Sequence, residues 1–204
     1  MIDWTQDKAG DYWHDQKRQP LIEGGVIGHW LDLGEPERYA PKDWVFGVLP
    51  DKHEHKDYHN LYNFKWAQSI AGGYARHSVK RRPFMMARSG APGIQRFGVS
   101  MWSGDIGSNL ENLANQMNVQ MHMSMSGVDY FGSDIGGFHR GELKGENLDT
   151  VYTQWFADGM MLDVPGRPHT DNQKCPYPPV PNPPSGACNG SSSLPLVDDL
   201  CKHL

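Results

Sequence analysis

The sequence lacks the features that mark several large classes of protein. It contains only three cysteines, and all of them fall in its last 30 residues, at Cys175, Cys188 and Cys201. A disulfide framework or a thiolate metal site is therefore excluded from the body of the fold. No apolar run approaches the roughly 20 residues that a helix needs to cross a bilayer, so we expect no membrane partner. The formal net charge of -5 provides no basic surface for nucleic acid.

Two further absences concern location and metal binding. The first residues, Met1-Ile2-Asp3-Trp4, are too polar and acidic for a signal peptide, which predicts a cytoplasmic protein. His53, His55 and His59 are spaced like metal ligands, but loop histidines at this spacing are usually solvated. We therefore expect neither a metal nor a cofactor.

Composition divides the chain near residue 173. Residues 1–173 show regular hydrophobic patterns, whereas residues 174–204 are rich in proline, glycine and serine and have little periodicity. Such a composition cannot form regular elements, so the second part is predicted to be an unstructured tail.

Within residues 1–173, apolar runs alternate with segments of helical periodicity. The helix that follows residue 107 is predicted to begin at a capping box formed by Ser108 and Glu111. The core is expected to be filled in part by Met85, Met86, Met117, Met121, Met123 and Met125. Repeated strand–helix units predict an α/β fold with a parallel sheet. The predicted strands are 26–31, 84–87, 98–102 and 128–131, and the main predicted helices are 60–75, the segment after 107, and 150–159.

A charged residue follows each of the four predicted strands: Asp32, Arg88, Asp105 and Asp134. In a (β/α)₈ barrel the active site is built at the carboxyl ends of the strands. Two of these strands also carry a tryptophan near the end, which sugar-binding sites often use as an apolar floor. This pattern favours a barrel enzyme acting on a sugar or a phosphate, although polar residues can also simply mark where strands stop.

Two of these acids could act together on a glycosidic bond. Retaining hydrolysis needs two carboxyl groups about 5–5.5 Å apart, one ionised and one protonated. Asp32 and Asp105 follow different strands and could face each other, at about 5–7 Å without a ligand. Arg88 could keep a neighbouring carboxylate ionised, and an apolar wall near Trp102 would raise the pKa of Asp105.

Five motifs, in order, resemble those of glycoside hydrolase family 31, which contains α-glucosidases and α-xylosidases. The resemblance runs from about residue 3 to residue 173. The motifs are Gly28-His-Trp-Leu-Asp32-Leu-Gly-Glu-Pro36, Arg82-Pro-Phe-Met-Met-Ala-Arg88-Ser, Gln95-Arg-Phe-Gly-Val-Ser-Met-Trp102-Ser-Gly-Asp105, Gly132-Ser-Asp134-Ile-Gly-Gly-Phe138 and Arg167-Pro-His169.

The resemblance implies a role for each matching position. Asp32 is the expected nucleophile and Asp105 the expected acid and base. Glu35, three residues after the nucleophile, is expected to orient the loop rather than to attack. The residues expected to line the pocket and to bind the sugar are Trp30, Arg88, Trp102, Asp134, Phe138 and His169.

The resemblance also implies a retaining α-glycosidase that hydrolyses terminal α-glucosidic bonds of a carbohydrate substrate. The alternatives are an α-transglycosylase, an α-glucan lyase, or a non-catalytic carbohydrate-binding paralogue. The family's catalytic barrel is about twice as long as this chain, so we expect a partial (β/α)₈ TIM barrel, its fourth to eighth strand regions. The simplest hypothesis is a gene fragment, inactive by itself, whose reading frame shifts near Lys174.

Overall fold

The computed structural model describes residues 2–36, 44–46 and 53–162, and the last of these ranges ends before the predicted tail and before His169. The described residues fall into two compact units. The first comprises 2–102, with the gaps given above, and 127–130; the second comprises 103–126 and 131–162.

The first unit begins with helices and contains a parallel sheet. Its elements in chain order are α1 (Asp7–Trp13), a π-helix (His14–Arg18), α2 (Gln19–Glu23), β1 (Gly28–Leu31), β2 (Trp44–Phe46), β3 (His53–Glu54), α3 (His55–Tyr58), a 3₁₀ helix (His59–Leu61), α4 (Tyr62–Arg76), β4 (Phe84–Ala87), a 3₁₀ helix (Ile94–Phe97) and β5 (Val99–Trp102).

The three long strands of this unit run parallel in the order β1, β4, β5. Gly28 is paired with Phe84 and Leu31 with Ala87, so β1 and β4 end at the same level, and Ala87 is in turn paired with Met101 of β5. Residues that follow β1 and β4 therefore emerge at one edge of the sheet. Strands β2 and β3 form a separate antiparallel pair.

Helix α4 connects β1 to β4 and covers the sheet with one apolar face. Ala67, Ile70 and Tyr74 are buried on this face, at helical spacing. Asn63 lies on the same face, one turn before Ala67, and is also buried. The helix was predicted over 60–75 and is observed at Tyr62–Arg76.

The second unit packs two helices around its own core. Its elements are α5 (Leu110–Met125), β6 (Phe131–Gly132), a 3₁₀ helix (Arg140–Glu142) and α6 (Leu148–Gly159). The buried core residues are Leu113, Ile135, Val151, Tyr152, Trp155 and Leu162. Strand β6 is shorter than the predicted strand 128–131 and begins at its last residue.

The beginning of α5 corrects a detail of the capping prediction. The N-cap is Asn109 rather than Ser108, and its side-chain oxygen accepts a hydrogen bond of 2.8 Å from the Asn112 backbone N–H. The Asn109 amide also donates to the Glu142 carbonyl at 2.7 Å. Asn109 is preferred because it satisfies a free helix N–H and fixes the following loop at the same time.

The expectation that methionines fill the core is only partly correct. Met85 and Met86 on β4 are buried, but Met117, Met121 and Met125 on α5 are exposed. The buried residues of α5 are Leu113 and Gln116, so this helix turns a different face inward than its apolar pattern predicts. None of the described helices is both long and apolar enough to span a membrane.

Candidate active site

The loop after β1 presents Asp32 at the edge of the sheet. Its side chain is 44% exposed, so the carboxylate can contact a ligand. Asp32 Oδ1 accepts a hydrogen bond of 2.9 Å from the backbone N–H of Leu33. Leu33 itself has a φ of 56°, which a residue with a side chain adopts at a cost of about 1–2 kcal/mol. Residues held in such sparsely populated backbone conformations are often found in functional loops.

Arg88 follows β4 and joins the two acidic residues of the β1 loop. Its Nε and Nη2 lie 2.6 and 2.5 Å from Glu35 Oε1, and its Nη1 lies 3.4 Å from Asp32 Oδ1. The Arg88 side chain is only 8% exposed, which strengthens both interactions relative to a surface ion pair. We call Asp32, Glu35 and Arg88 the carboxylate cluster.

The carboxylate cluster has one firmly held acid and one accessible acid. Glu35 is bound by two nitrogens of Arg88 and is less exposed than Asp32. This arrangement agrees with a role for Glu35 in orienting the loop, because its Oε1 is held by the guanidinium. Asp32 has charge stabilisation from the same arginine but keeps an open face.

Two tryptophans of the first unit, one on β1 and one on β5, pack against each other. The Trp30 and Trp102 rings have centroids 4.2 Å apart and are tilted by 40°. Trp102 is buried, whereas Trp30 is 41% exposed and offers an apolar ring face. The sequence analysis assigned both to sugar binding, and the structure brings them together as a pair.

In the second unit, the predicted site residues are held by a loop network. Asp105 is exposed, Asp134 is buried after β6, and Phe138 is partly buried. The backbone N–H groups of Phe138 and His139 both donate to the Ile106 carbonyl, at 2.7 and 2.9 Å. The loop after β6 is thereby bonded to the residue next to Asp105.

A glycine makes this close approach possible. Gly137 has a φ of 71°, and a Cβ at this position would lie 2.6 Å from the Gly107 carbonyl oxygen and 2.7 Å from Ser108 Cα. Both the positive φ and the lack of space require glycine. The segment that directly follows Asp105 and the loop that ends the Asp134 motif are therefore in backbone contact within the second unit.

Asp32 belongs to the first unit and Asp105 to the second. The carboxylate separation of about 5–7 Å stays a prediction, based on the geometry that retaining glycosidases require. His169, expected to bind the sugar, lies outside the described residues.

A second polar cluster lies in the first unit and was missed by the sequence analysis. His29 of β1 shares a hydrogen bond of 3.0 Å with the Tyr74 hydroxyl of α4. His14, in the π-helix, is fully buried, and its ring centroid lies 6.2 Å from that of Tyr74. We call His14, His29 and Tyr74 the histidine cluster. No pattern in the sequence predicts the π-helix or brings His14 next to Tyr74, so this cluster could not have been predicted.

Burial sets the protonation of this histidine cluster. Burial, followed by the nearby charge of Arg18, lowers the pKa of His29 to about 4. The pKa of His14 is also lowered, first by burial and then by the charge of Arg18. Arg18 is itself buried, and burial lowers its pKa to about 10. Both histidines are therefore neutral at neutral pH.

The histidines that resemble a metal-binding set do not assemble one in the described part of the chain. No group of three or more histidine, cysteine, aspartate or glutamate side chains with metal-binding geometry is present among the described residues. His55 is buried, against the expectation of solvation, and its ring contacts that of His59 with centroids 4.8 Å apart.

Solved structures with a similar fold include two GH31 enzymes. An alpha-xylosidase of family GH31 from a soil metagenome, complexed with xylose, superposes with a TM-score of 0.71 at 23% identity, over 88% of this chain and 26% of that one. A GH31 dextranase from Flavobacterium johnsoniae, complexed with glucose, gives a TM-score of 0.70 at 24% identity, over 87% and 22%. The fold is that of this class.

The family is shown by the sequence comparison. The family model "Glycosyl hydrolases family 31 TIM-barrel domain" matches residues 1–180, and the chain belongs to this family. Alpha-glucosidase 2 of Bacillus thermoamyloliquefaciens is 32% identical over 162 residues, which are 77% of this chain and 20% of that protein. Neutral alpha-glucosidase C of Homo sapiens is 29% identical over 78% of this chain and 17% of that protein. The predicted family and the predicted fold class, a partial (β/α)₈ barrel, are confirmed.

Proposed function

We propose that this chain carries the catalytic residues of a retaining α-glycosidase that acts on terminal α-glucosides. The observation that carries the proposal is the carboxylate cluster, in which an accessible Asp32 lies 3.4 Å from the buried Arg88. The α-glucoside specificity is proposed from the names of the curated relatives. The chain spans 20% and 17% of their lengths, so the activity is tested both on the 204 residues and on the longest natural polypeptide that contains them.

In the first step, an Asp32 carboxylate oxygen attacks the anomeric carbon, and the bond from that carbon to the leaving oxygen breaks. Asp105 donates its proton to the leaving oxygen, which departs as an alcohol. The Arg88 guanidinium lies 3.4 Å from Asp32 Oδ1, next to the carboxylate that attacks. The products of this step are a glycosyl ester on Asp32 and an ionised Asp105.

In the second step, Asp105 accepts a proton from water while the water oxygen attacks the anomeric carbon. The ester bond to Asp32 breaks and the carboxylate is restored. Two inversions at the same carbon give net retention. The exposed Trp30 face, backed by Trp102, is suited to pack against the C–H face of the sugar ring during both steps.

The stereochemistry of the product tests the mechanism. Proton NMR of an aryl α-glucoside digest should show α-glucose first, with the β-anomer appearing only by mutarotation. Initial release of β-glucose would exclude double displacement, and release of an unsaturated sugar would identify a lyase. Transfer to an added acceptor sugar in preference to water would identify a transglycosylase.

A covalent probe tests the nucleophile separately. A 5-fluoro α-glucosyl fluoride should add one glycosyl mass to the protein, on the peptide that contains Asp32. Asp32→Asn should abolish the adduct, whereas the control Asp7→Asn, an exposed acid in the first turn of α1, should label normally. A label on Glu35 would show that the two acids were assigned in the wrong order.

A further inference from the structure

Asn63 is a buried amide on the apolar face of α4. It is 2% exposed and lies in the first turn of the helix, on the face that packs on the sheet. Burying an amide costs free energy unless it is hydrogen-bonded, so a residue of this kind is retained where its contacts are specific. No motif of the sequence analysis includes it.

The Asn63 side chain binds the loop that carries Arg88. Its Nδ2 donates to the Ser89 carbonyl at 2.6 Å and lies 3.2 Å from the Ser89 hydroxyl. Ser89 directly follows Arg88, so these hydrogen bonds fix the backbone at the point from which the guanidinium extends.

The same side chain lies flat against the loop that carries Asp32. A Cβ on Gly34 would lie 2.5 Å from Asn63 Oδ1 and 2.7 Å from Nδ2. The φ of Gly34 is not in the left-handed region, so glycine is required here for space and not for conformation. The close contact between the Gly34 backbone and the Asn63 amide is therefore specific to this pair.

We infer that Asn63 is a positioning residue that sets the spacing between the Asp32 loop and the Arg88 loop. The contacts close a ring: Asn63 holds Ser89, Arg88 next to it binds Glu35, and Gly34 beside Glu35 rests on Asn63. Arg88 binds Glu35 directly and lies 3.4 Å from Asp32, so a loose Arg88 loop would weaken the hydrogen bond from Nε to Glu35 and lose the contact with Asp32. The catalytic consequence rests on the proposed function, but the geometric inference does not.

The Arg88 Nε–H group donates to Glu35 at 2.6 Å. The state of this hydrogen bond shows how firmly the Arg88 loop is held, and it can be measured in a protein that has no enzymatic activity. The exchange of the Nε–H proton with water is measured by ¹⁵N-edited NMR on the full chain. Asn63→Ala should speed this exchange about five- to tenfold, the effect of losing one buried hydrogen bond. Asn63→Asp keeps the volume and removes the donor, and it should act in the same direction. Gln68→Ala, on the exposed face of the same helix, should leave the exchange unchanged.

A double-mutant cycle separates positioning from simple stability. Gly34→Ala should speed Arg88 exchange because its new methyl group collides with Asn63. In the Asn63→Ala background the same change should add little, because the collision partner has gone. Additive effects, or native exchange in both Asn63 variants, would overturn the inference. If the NMR effects appear but neither the chain nor the longest natural polypeptide that contains it has glycosidase activity, the proposed function fails and the positioning role stands.

Where turnover is measurable, Asn63→Ala should lower kcat several-fold with a smaller change in KM. The reason is that Asp32 would lose its correctly placed cation while the rest of the sugar contacts remain. A change in KM alone would show that Asn63 affects binding and not the placement of the nucleophile.

Discussion

The carboxylate cluster and the histidine cluster are both built on β1 but use opposite solutions to the problem of burying polar groups. In the first, Asp32 and Glu35 lie beside the guanidinium of Arg88, and Asp32 keeps an open face. In the second, His14 and His29 are neutral and lie beside the buried cation of Arg18. The carboxylate cluster places its acids beside a cation, whereas burial in the histidine cluster leaves its two histidines uncharged.

The difference reflects the side of the strand on which each cluster lies. Along β1, His29 contacts Tyr74 of the covering helix, whereas the next residue, Trp30, is exposed and stacks with Trp102. Alternating side chains of a strand point to opposite faces. The side of β1 that faces the helix is shielded from water and favours neutral histidine. The end of the strand is accessible to water and favours charged groups that lie in pairs. Changes in the first cluster should therefore affect chemistry, and changes in the second should affect stability.

The largest expected effect is on turnover in Asp32→Asn. The substitution keeps the shape of the side chain but removes the nucleophile, so kcat should fall by about 10⁴-fold or more. The thermal midpoint should change little because Asp32 is the more exposed member of the carboxylate cluster. Steady-state assays with an aryl α-glucoside and a thermal melt measure the two effects. A stable variant that keeps more than a tenth of its activity would contradict the assignment.

Asp105→Ala should give a loss that depends on the leaving group. A poor leaving group needs a proton, so hydrolysis of a disaccharide should slow by about 10²–10⁴-fold. A glucosyl fluoride needs no such proton and should be cleaved with a much smaller loss in the first step. Added azide should then rescue the second step by replacing the water that Asp105 activates. Equal losses on both substrates would show that another residue is the acid.

Much of this site was predictable from the sequence because strand ends carry a strong local signal. Asp32, Arg88 and Asp134 each follow a short apolar run, and the motif order identified the family before any contact was known. The contact of Gly34 with Asn63 was not predictable, because it joins a loop and a helix with no pattern linking them. The burial of His14 was missed for a related reason, since a π-helix changes which residues of a helix face inward.

The next expected effect is on stability, at the place where helix α4 packs against His14. A Cβ on Gly73 would overlap the His14 ring, whereas a Cβ on the neighbouring Gly72 would meet open space. Gly73→Ala should therefore destabilise the protein by about 2–3 kcal/mol through overpacking. Gly72→Ala should stabilise it by about 0.5–1 kcal/mol, because alanine is the better helix former. Urea unfolding of the two variants makes a matched comparison, and equal effects would show that His14 is not packed against α4.

The last expected effect is a pH dependence of stability that His29 adds below neutral pH. Its pKa is about 4 in the folded protein, lowered first by burial and then by the charge of Arg18, against about 6.5 for an exposed histidine. The unfolded chain binds the proton more tightly, so this contribution is present above pH 6.5 and is lost as the pH falls towards 4. The slope cannot exceed about 1.4 kcal/mol per pH unit for one proton. His29→Gln retains a polar partner for Tyr74 but does not titrate, so its unfolding free energy should fall less steeply over this range. The same slope in both proteins would mean that His29 is protonated equally in the folded and unfolded states, and that the neutral character of the histidine cluster rests on His14 alone.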